Sequence, residues 1–478
     1  MKLTDGVMAV VKRDCPTCEY VEPVLAQLAA ALGSRLQVYS QDDPSFPSSV
    51  PEVIDDRQLD VSWALDLTTV PTLVLIEDGV EVGRVVGWLR EQWEELTSVG
   101  NLGPGLAGYR PGCGSLTLDP EVAETLAIRH RGPELRARRV ALADLEDEAE
   151  AAFDRGWTDG LPVVAPTIGR VLAMLDGTSR RPEEIVAVVP PTLVEATVEK
   201  VAINAVMAGC RPEYLPVVLA AVEAACSDEF NAHGVLATTW FAAPMIVVNG
   251  PIARAIGMNS GVNALGQGNR ANATIGRALQ LVIRNVGGGV PGGIDRATLG
   301  TPGKYTFCFA EDEAGSPWEP LSVSRGLPLG TSAVTVFAAG GVHGVADQLS
   351  RTPDSLARSL AVALRSVAHP KLVIGFDAFL VVSPDHARVF KEAGWDRSRL
   401  TEELDTLLTI PGAEIVRGAG GIAEGVPDHV ADKMLPKFRP GGLLIAHAGG
   451  TAGLFSAVID GWVGGPGGSV PVTREVLR

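Results

Sequence analysis

The sequence predicts an α/β protein: a smaller N-terminal domain built on a central mixed sheet, then a larger C-terminal α/β region open to division into two lobes. Three observations predict this. The chain has 478 residues, more than one domain ordinarily holds. It is 46% hydrophobic and 20% charged, with 54 glycines and 33 prolines, the make-up of folded, loop-rich architecture. Short apolar runs rich in β-branched residues alternate with stretches whose apolar residues recur at helical spacing. The expected division is 1–100, a stretch of linker and helices at 101–156, and 157–478.

Charge and patterning narrow the function classes. A net charge of −17 and a sequence pI near 4.9 argue against nucleic acid or an anionic membrane as partner. The apolar run Val7 to Val11 is too short for a signal peptide, and no uncharged run is long enough to span a bilayer. A cytoplasmic location is expected. Six cysteines in so long a chain do not make a disulfide scaffold, so each is a core residue or a working group. The oligomeric state is not legible.

The first hundred residues read as strand, turn, helix, strand, helix, strand, strand, helix. "GVMAVVK" suits a buried strand and runs straight into Cys15-Pro16-Thr17-Cys18. "EYVEPVLAQLAAAL" follows with helical periodicity. Cys15 therefore falls at a helix N-terminus, where unpaired N–H groups and the helix dipole stabilise a thiolate. The two-residue gap lets both sulfurs meet across the first turn, Cys15 attacking and the more buried Cys18 resolving the mixed disulfide.

With Pro23 inside that helix, Val70-Pro71-Thr72, the Asp78-Gly79 turn and Gly87 following in order, this region resembles the thioredoxin superfamily. The resemblance covers about the first hundred residues. It implies a thiol–disulfide oxidoreductase with Cys15 and Cys18 as redox pair and Pro71 as a cis-proline facing them. It also implies that Val70, Thr72 and Gly87 border the substrate. The sequence departs from thioredoxins at Asp14, in place of a frequent tryptophan, and at Ala9, in place of a buried acid. Its dipeptide, Pro16-Thr17, is closer to glutaredoxin usage. The insertion "DDPSFPSSVPEV" follows the central strand. A negative charge at Asp14 is expected to oppose thiolate formation at Cys15.

"NLGPGLAGYRPGCGSLTLDP" is rich in glycine and proline and reads as an ordered loop or linker. Two helices, in "EVAETLAIRH" and "LADLEDEAEAAFDRGW", follow. Cys113 has small neighbours and Arg110 close by, so it is either a relay thiol or an ordinary loop cysteine.

From Trp157 onward strands and amphipathic helices alternate. "TVEKVAINAVMAG" is a helix closed by Gly209, and Cys210 precedes Arg211-Pro212 at the start of the next, a setting that favours a thiolate. Cys226 and Cys308 read as packing residues. Asn259, Asn263, Asn269 and Asn272 surround the start of the helix "ATIGRALQLVIRNV" and offer amides to a carboxylate or phosphate, or else cap and bend their own loop. "AVTVFAAGGVHG", "EIVRGAGGIAEG" and "LLIAHAGGTAGLFSAV" read as strands followed by Ala-Gly-Gly turns with backbone exposed to a ligand, including Gly449 and Gly450. His343, His386 and His447 lie near these strand ends as acid/base candidates. Asp228, Glu229 and His233 form a weaker cluster, and no metal site is assigned.

The function expected is a thiol–disulfide oxidoreductase domain fused to an enzyme domain that it reduces or assists, acting on a small substrate, with sulfur compounds among the candidates. The alternatives are a redox-regulated ligand-binding protein, and a reductase of external protein disulfides that uses the large region for recognition. The only redox group implied is the dithiol/disulfide itself. The partners expected are a small molecule or a thiol/disulfide protein.

Overall fold

The computed structural model describes residues 4–131, 135–143 and 146–477. The protein is mixed α/β with mixed sheets, and the chain divides into two compact units, Met1–Pro133 and Glu134–Arg478. The division therefore falls inside the stretch expected to connect the domains, because residues 109–118 fold back into the first unit.

In the first unit β1 (Gly6–Val11) leads into α1 (Pro16–Tyr20) and α2 (Glu22–Leu32), followed by β2 (Leu36–Ser40) and β3 (Val53–Asp55). Next come α3 (Asp60–Ala64), β4 (Thr69–Val70), β5 (Thr72–Glu77), β6 (Val80–Val86), β7 (Trp88–Leu89) and α4 (Arg90–Thr97). Then β8 (Tyr109–Arg110), β9 (Cys113–Gly114) and α5 (Pro120–Arg131) complete it. The sheet order is β3-β2-β1-β5-β6, with β1, β2 and β3 parallel and β5 and β6 antiparallel to their neighbours. β1 is buried along nearly its whole length, as its unbroken apolar run requires. Pro23 lacks the N–H for a bond to the preceding turn, and the helix breaks at Val21, between α1 and α2. Trp88 and Trp93 pack edge to face at 4.9 Å between ring centres, fully buried in the core.

The second unit opens with α6 (Glu148–Asp154), α7 (Ile168–Leu175), the hairpin β10 (Ile185–Val189) and β11 (Val194–Thr197), then α8 (Val198–Ala208), α9 (Leu215–Ala225) and α10 (Ala232–Ala237). Asp147 caps α6, which starts later than the sequence pattern suggests. Gly209 closes α8 with φ of 88°, as expected.

Two similar halves follow. The first runs β12 (Ala243–Asn249), α11 (Pro251–Ala255), α12 (Arg270–Asn285), β13 (Cys308–Ala310), α13 (Leu321–Ser324) and β14 (Ala333–Ala346). The second runs α14 (Pro353–Arg365), β15 (Phe376–Val382), α15 (Pro384–Glu392), α16 (Arg397–Leu407), β16 (Thr409–Pro411), α17 (Gly412–Ile415), β17 (Met434–Pro436), β18 (Leu443–His447) and β19 (Phe455–Val463), and β20 (Val472–Glu475) closes the chain. β12 pairs parallel with β13 and antiparallel with β14, and β15 pairs in the same way with β18 and β19. The registers superpose: Val248 opposes Ala310 and Val334, and Val382 opposes His447 and Ser456. β14 and β19 join the halves, and the pair Ala339–Gly461 lies at equivalent positions of the two.

The outer strands meet where Asp312 N–H donates to His447 O at 2.8 Å. The enclosed core takes side chains from six strands of the seven-stranded sheet, among them Met245, Phe309, Phe337, Phe379, Leu444 and Ile459. Alternate residues face outward under helices: Ile246 and Val248 under α8, α9 and α12, Leu380 and Val382 under α14, α15 and α16.

This architecture revises the three Ala-Gly-Gly segments. Gly340 and Gly341 lie inside the fourteen-residue strand β14, so His343 sits on a strand and not in a turn. A Cβ at Gly340 would come within 3.3 Å of the Asp460 Cβ, which explains a small residue there. Ala419 to Gly421 form a short 3-10 turn that follows the helix α17, where the pattern suggests a strand. Gly449 and Gly450 join a strand to a strand and not to a helix.

Candidate functional site

Cys15 is the N-cap of α1, with extended backbone at φ −150° and ψ 107°, so its sulfur faces the first turn. The sulfur accepts the Cys18 N–H at 3.3 Å and lies 3.6 Å from Val70 O. The Val70–Pro71 peptide is cis. Both cysteines are buried and both are free thiols. A hydrogen bond from the Cys18 thiol draws Cys15 down to about 5 against the opposing effect of burial. The Cys113 thiol and the N–H groups of Cys18 and Thr17 add to it. Cys18 moves the other way, held protonated by burial and by its bond to Cys15. Asp14, expected to disfavour the thiolate, is exposed, where solvent and salt screen its charge.

The insertion has a structural role. Asp42 accepts the N–H groups of Arg13 and Asp14 at 2.7 and 2.9 Å, which fixes the turn entering the thiol pair. Arg13 in turn pairs with Asp43 at 2.6 Å and lies over the Phe46 ring.

The structure brings Cys113 to this site. β9 pairs antiparallel with β4, placing Cys113 opposite Val70, and β8 pairs with β7. Thr17 Oγ1 donates to Pro111 O at 2.7 Å, Arg110 stacks over Tyr20, and Gln41 donates to Ser115 Oγ at 2.8 Å. Gly87 has φ of 74° and its N–H donates to Pro71 O at 2.8 Å. Thr72 Oγ1 donates to Thr69 O. Thr17 and Gln41 carry no recognisable motif, and only the folded backbone reveals their part.

Cys210 is a correction. Its thiol is buried and donates to Thr274 O at 3.4 Å, and burial pushes it up to about 12. The adjacent Arg211 is exposed and paired with Glu213 instead. Burial likewise raises Cys226 to about 12 and raises Cys308 further.

The asparagine amides are used inside their own loop. Asn269 caps α12 and donates to Gly257 O, and Asn259 donates to Val262 O. Asn263 donates to Gln267 O, and buried Asn272 donates to Asn259 O and Ala264 O. This loop does meet the Gly449–Gly450 turn, for Gly449 N–H donates to Ser260 O at 2.9 Å. His386 is buried with both ring nitrogens engaged, by Ser456 Oγ and Asp347 O. His343 is exposed and meets Asp460 at 3.0 Å. His447 is buried against Asp312 O, its Nε2 without a partner among the described residues. Among the described residues no three side chains of His, Cys, Asp or Glu converge as metal ligands, Asp228, Glu229 and His233 included. No helix among them is long and apolar enough to cross a membrane.

A cavity of about 480 Å³ opens in the second unit near the start of β12, lined in part by Asp159, Gln280, Arg284, Asp295, Lys304 and Tyr305. Arg277 binds Asp159 through two bonds of 2.8 Å, and Lys304 binds Asp295 at 2.8 and 2.9 Å. Burial alone would raise Asp159, but Arg277 outweighs it and holds the carboxyl below its ordinary range. With both carboxylates paired, Arg284 lacks an ion-pair partner among the described residues, and its Nε is buried and unbonded. Sequence reading missed this site, because Asp159 and Arg277 lie far apart in the chain.

Compared with known proteins, the chain matches no family model and no curated protein.

Proposed function

We propose that the N-terminal unit is a thioredoxin-like thiol–disulfide oxidoreductase that serves chemistry on a small molecule in the C-terminal unit. The observation that carries this is the Cys15 sulfur: capping a helix, accepting the Cys18 N–H, and beside the cis Val70–Pro71 peptide. The sheet order β3-β2-β1-β5-β6, the helix break before Pro23 and the positive φ of Gly87 support the same reading.

In the exchange, the Cys15 thiolate attacks one sulfur of a disulfide and displaces the other as thiolate. Cys18 then attacks the Cys15 sulfur, closing the Cys15–Cys18 disulfide and releasing the second thiol. The client in the second unit is a small anion, for which Arg284 supplies the unpaired positive charge in the cavity. The same cavity favours a second reading, a ligand-binding protein whose thiols sense redox state.

The test uses the reduced full chain and oxidised glutathione, a quench with N-ethylmaleimide, and peptide mapping. A Cys15-linked disulfide in the wild type, lost in Cys15→Ser, supports the oxidoreductase. A chain whose Cys15 stays free and alkylatable overturns it.

A further inference from the structure

The strap of residues 109–114 is built around Cys15 more closely than a linker would be. Gly112 has no room for a side chain: a Cβ there would lie 2.4 Å from Thr69 Cγ2 and 2.8 Å from Val70 O. A Cβ at Gly87 would meet Gly112 N at 3.0 Å. The two glycines let the strap lie directly on the strand that ends at the cis-proline. Val70 then neighbours both cysteines, its carbonyl 3.6 Å from the Cys15 sulfur and its backbone opposite Cys113. The Cys113 thiol favours the charged form of Cys15 and is itself raised by burial and by Cys15. Access separates the two partners of Cys15, for Cys18 is fully buried and Cys113 is partly exposed.

We propose that Cys113 is a third redox thiol, which resolves mixed disulfides at Cys15 and, as a Cys15–Cys113 disulfide, fastens the strap across the exchange site. This rests on the oxidoreductase reading and assigns that site a built-in partner. The chemistry balances with a low-molecular-weight disulfide as oxidant. Cys15 attacks one of its sulfurs, the S–S bond breaks, and the first small thiol leaves. Cys113 gives up its proton and attacks the Cys15 sulfur, and the second small thiol leaves with that proton. Two cysteines are oxidised and one disulfide is reduced. Attack by Cys18 on Cys15 then expels Cys113 as its thiol, the proton passing from Cys18 to Cys113 with no net change of oxidation state. While the Cys15–Cys113 bond stands, the edge of β4 is covered and a protein disulfide cannot add to it.

The experiment is the same oxidation and mapping on full-length Cys18→Ser, and on Cys18→Ser with Cys113→Ser. The first variant is expected to form the Cys15–Cys113 link. The second is expected to accumulate glutathione on Cys15, at least about tenfold more than the first, because no thiol remains to displace it. Persistent glutathione on Cys15 in Cys18→Ser, with Cys113 still alkylated, overturns the third-thiol role and leaves the oxidoreductase standing. A wild-type Cys15 that forms no disulfide overturns both. A rapid-quench time course of the wild type provides a measurement free of mutation. Cys113 is expected to be lost to alkylation during the reaction, and Cys113 alkylated at every time point overturns the role.

Discussion

The acidity of Cys15 can be measured directly from its alkylation rate. An ordinary thiol near 9 would be about 1% thiolate at neutral pH, whereas one at about 5 is about 99% thiolate. Iodoacetamide should therefore modify Cys15 at a rate nearly flat from pH 8 to pH 6, with a midpoint near 5. The Cys18 thiol makes the largest contribution, and a hydrogen bond to a charged group is worth about 1.5–3 kcal/mol. Cys18→Ala should accordingly raise the midpoint by about 1–2 pH units. Cys113→Ala should raise it by less. The shift is also a statement about stability. The folded thiol is more acidic than the unfolded one, so its contribution is complete above about pH 9 and is lost as pH falls through about 5. Stability should therefore fall as pH falls across that window. Urea unfolding of the reduced chain should lose that slope in Cys15→Ser. A wild-type alkylation midpoint between 8 and 9 would refute the reasoning, because the bonds at the sulfur would then not favour the thiolate.

Other expectations follow from the same geometry. Gly112→Ala forces the strap off Thr69 and Val70, so Cys113 should react faster with iodoacetamide and the Cys15 midpoint should rise. Cys15 is just as buried, but burial holds the Cys210 and Cys308 thiols protonated, so mass mapping after brief alkylation of the native chain should find both unmodified until urea unfolds the second unit. Burial raises Asp377 to about 6 while Arg439 opposes it, so this carboxyl favours folding at low pH and its contribution falls as pH rises from about 4 to 6. Arg439→Ala leaves a buried carboxylate unpaired and should cost about 3–5 kcal/mol at pH 8 and less at pH 5, read from urea unfolding midpoints. Arg284→Gln should abolish any protection that small carboxylates give the second unit against thermal unfolding.

What was legible in the sequence was local. Cys15, Cys18 and the strand before them lie within one short stretch, where helix capping and an unbroken apolar run act on near neighbours. Cys113 lies in a stretch that reads as an ordered loop or linker, because glycine and proline signal a turn whether or not the turn packs against anything. Pairing of Cys113 with Val70 is a tertiary fact. The local rule also misjudged Cys210, where helix position suggested a thiolate and burial decided otherwise. The asparagine loop shows the same limit: polar side chains near a helix start serve a ligand or their own backbone, and only the bonds of Asn272 and its neighbours tell which. The paired halves were hidden because so few residues correspond. Val247-Val248 before Pro251 and Val381-Val382 before Pro384 are among the visible traces.

The matching registers of the two halves bear on how the second unit would survive a break. Leu349 lies between β14 and α14 and is 87% exposed, an open site for a protease. A cut there leaves β12, β13 and β14 on one fragment and β15, β18 and β19 on the other, each a full three-strand set. The seam between β14 and β19 and the clasp at His447 would hold the nicked pieces together without a covalent bond. Fragment complementation, each piece made separately and mixed, thus becomes a natural way to study a unit whose halves repeat one plan.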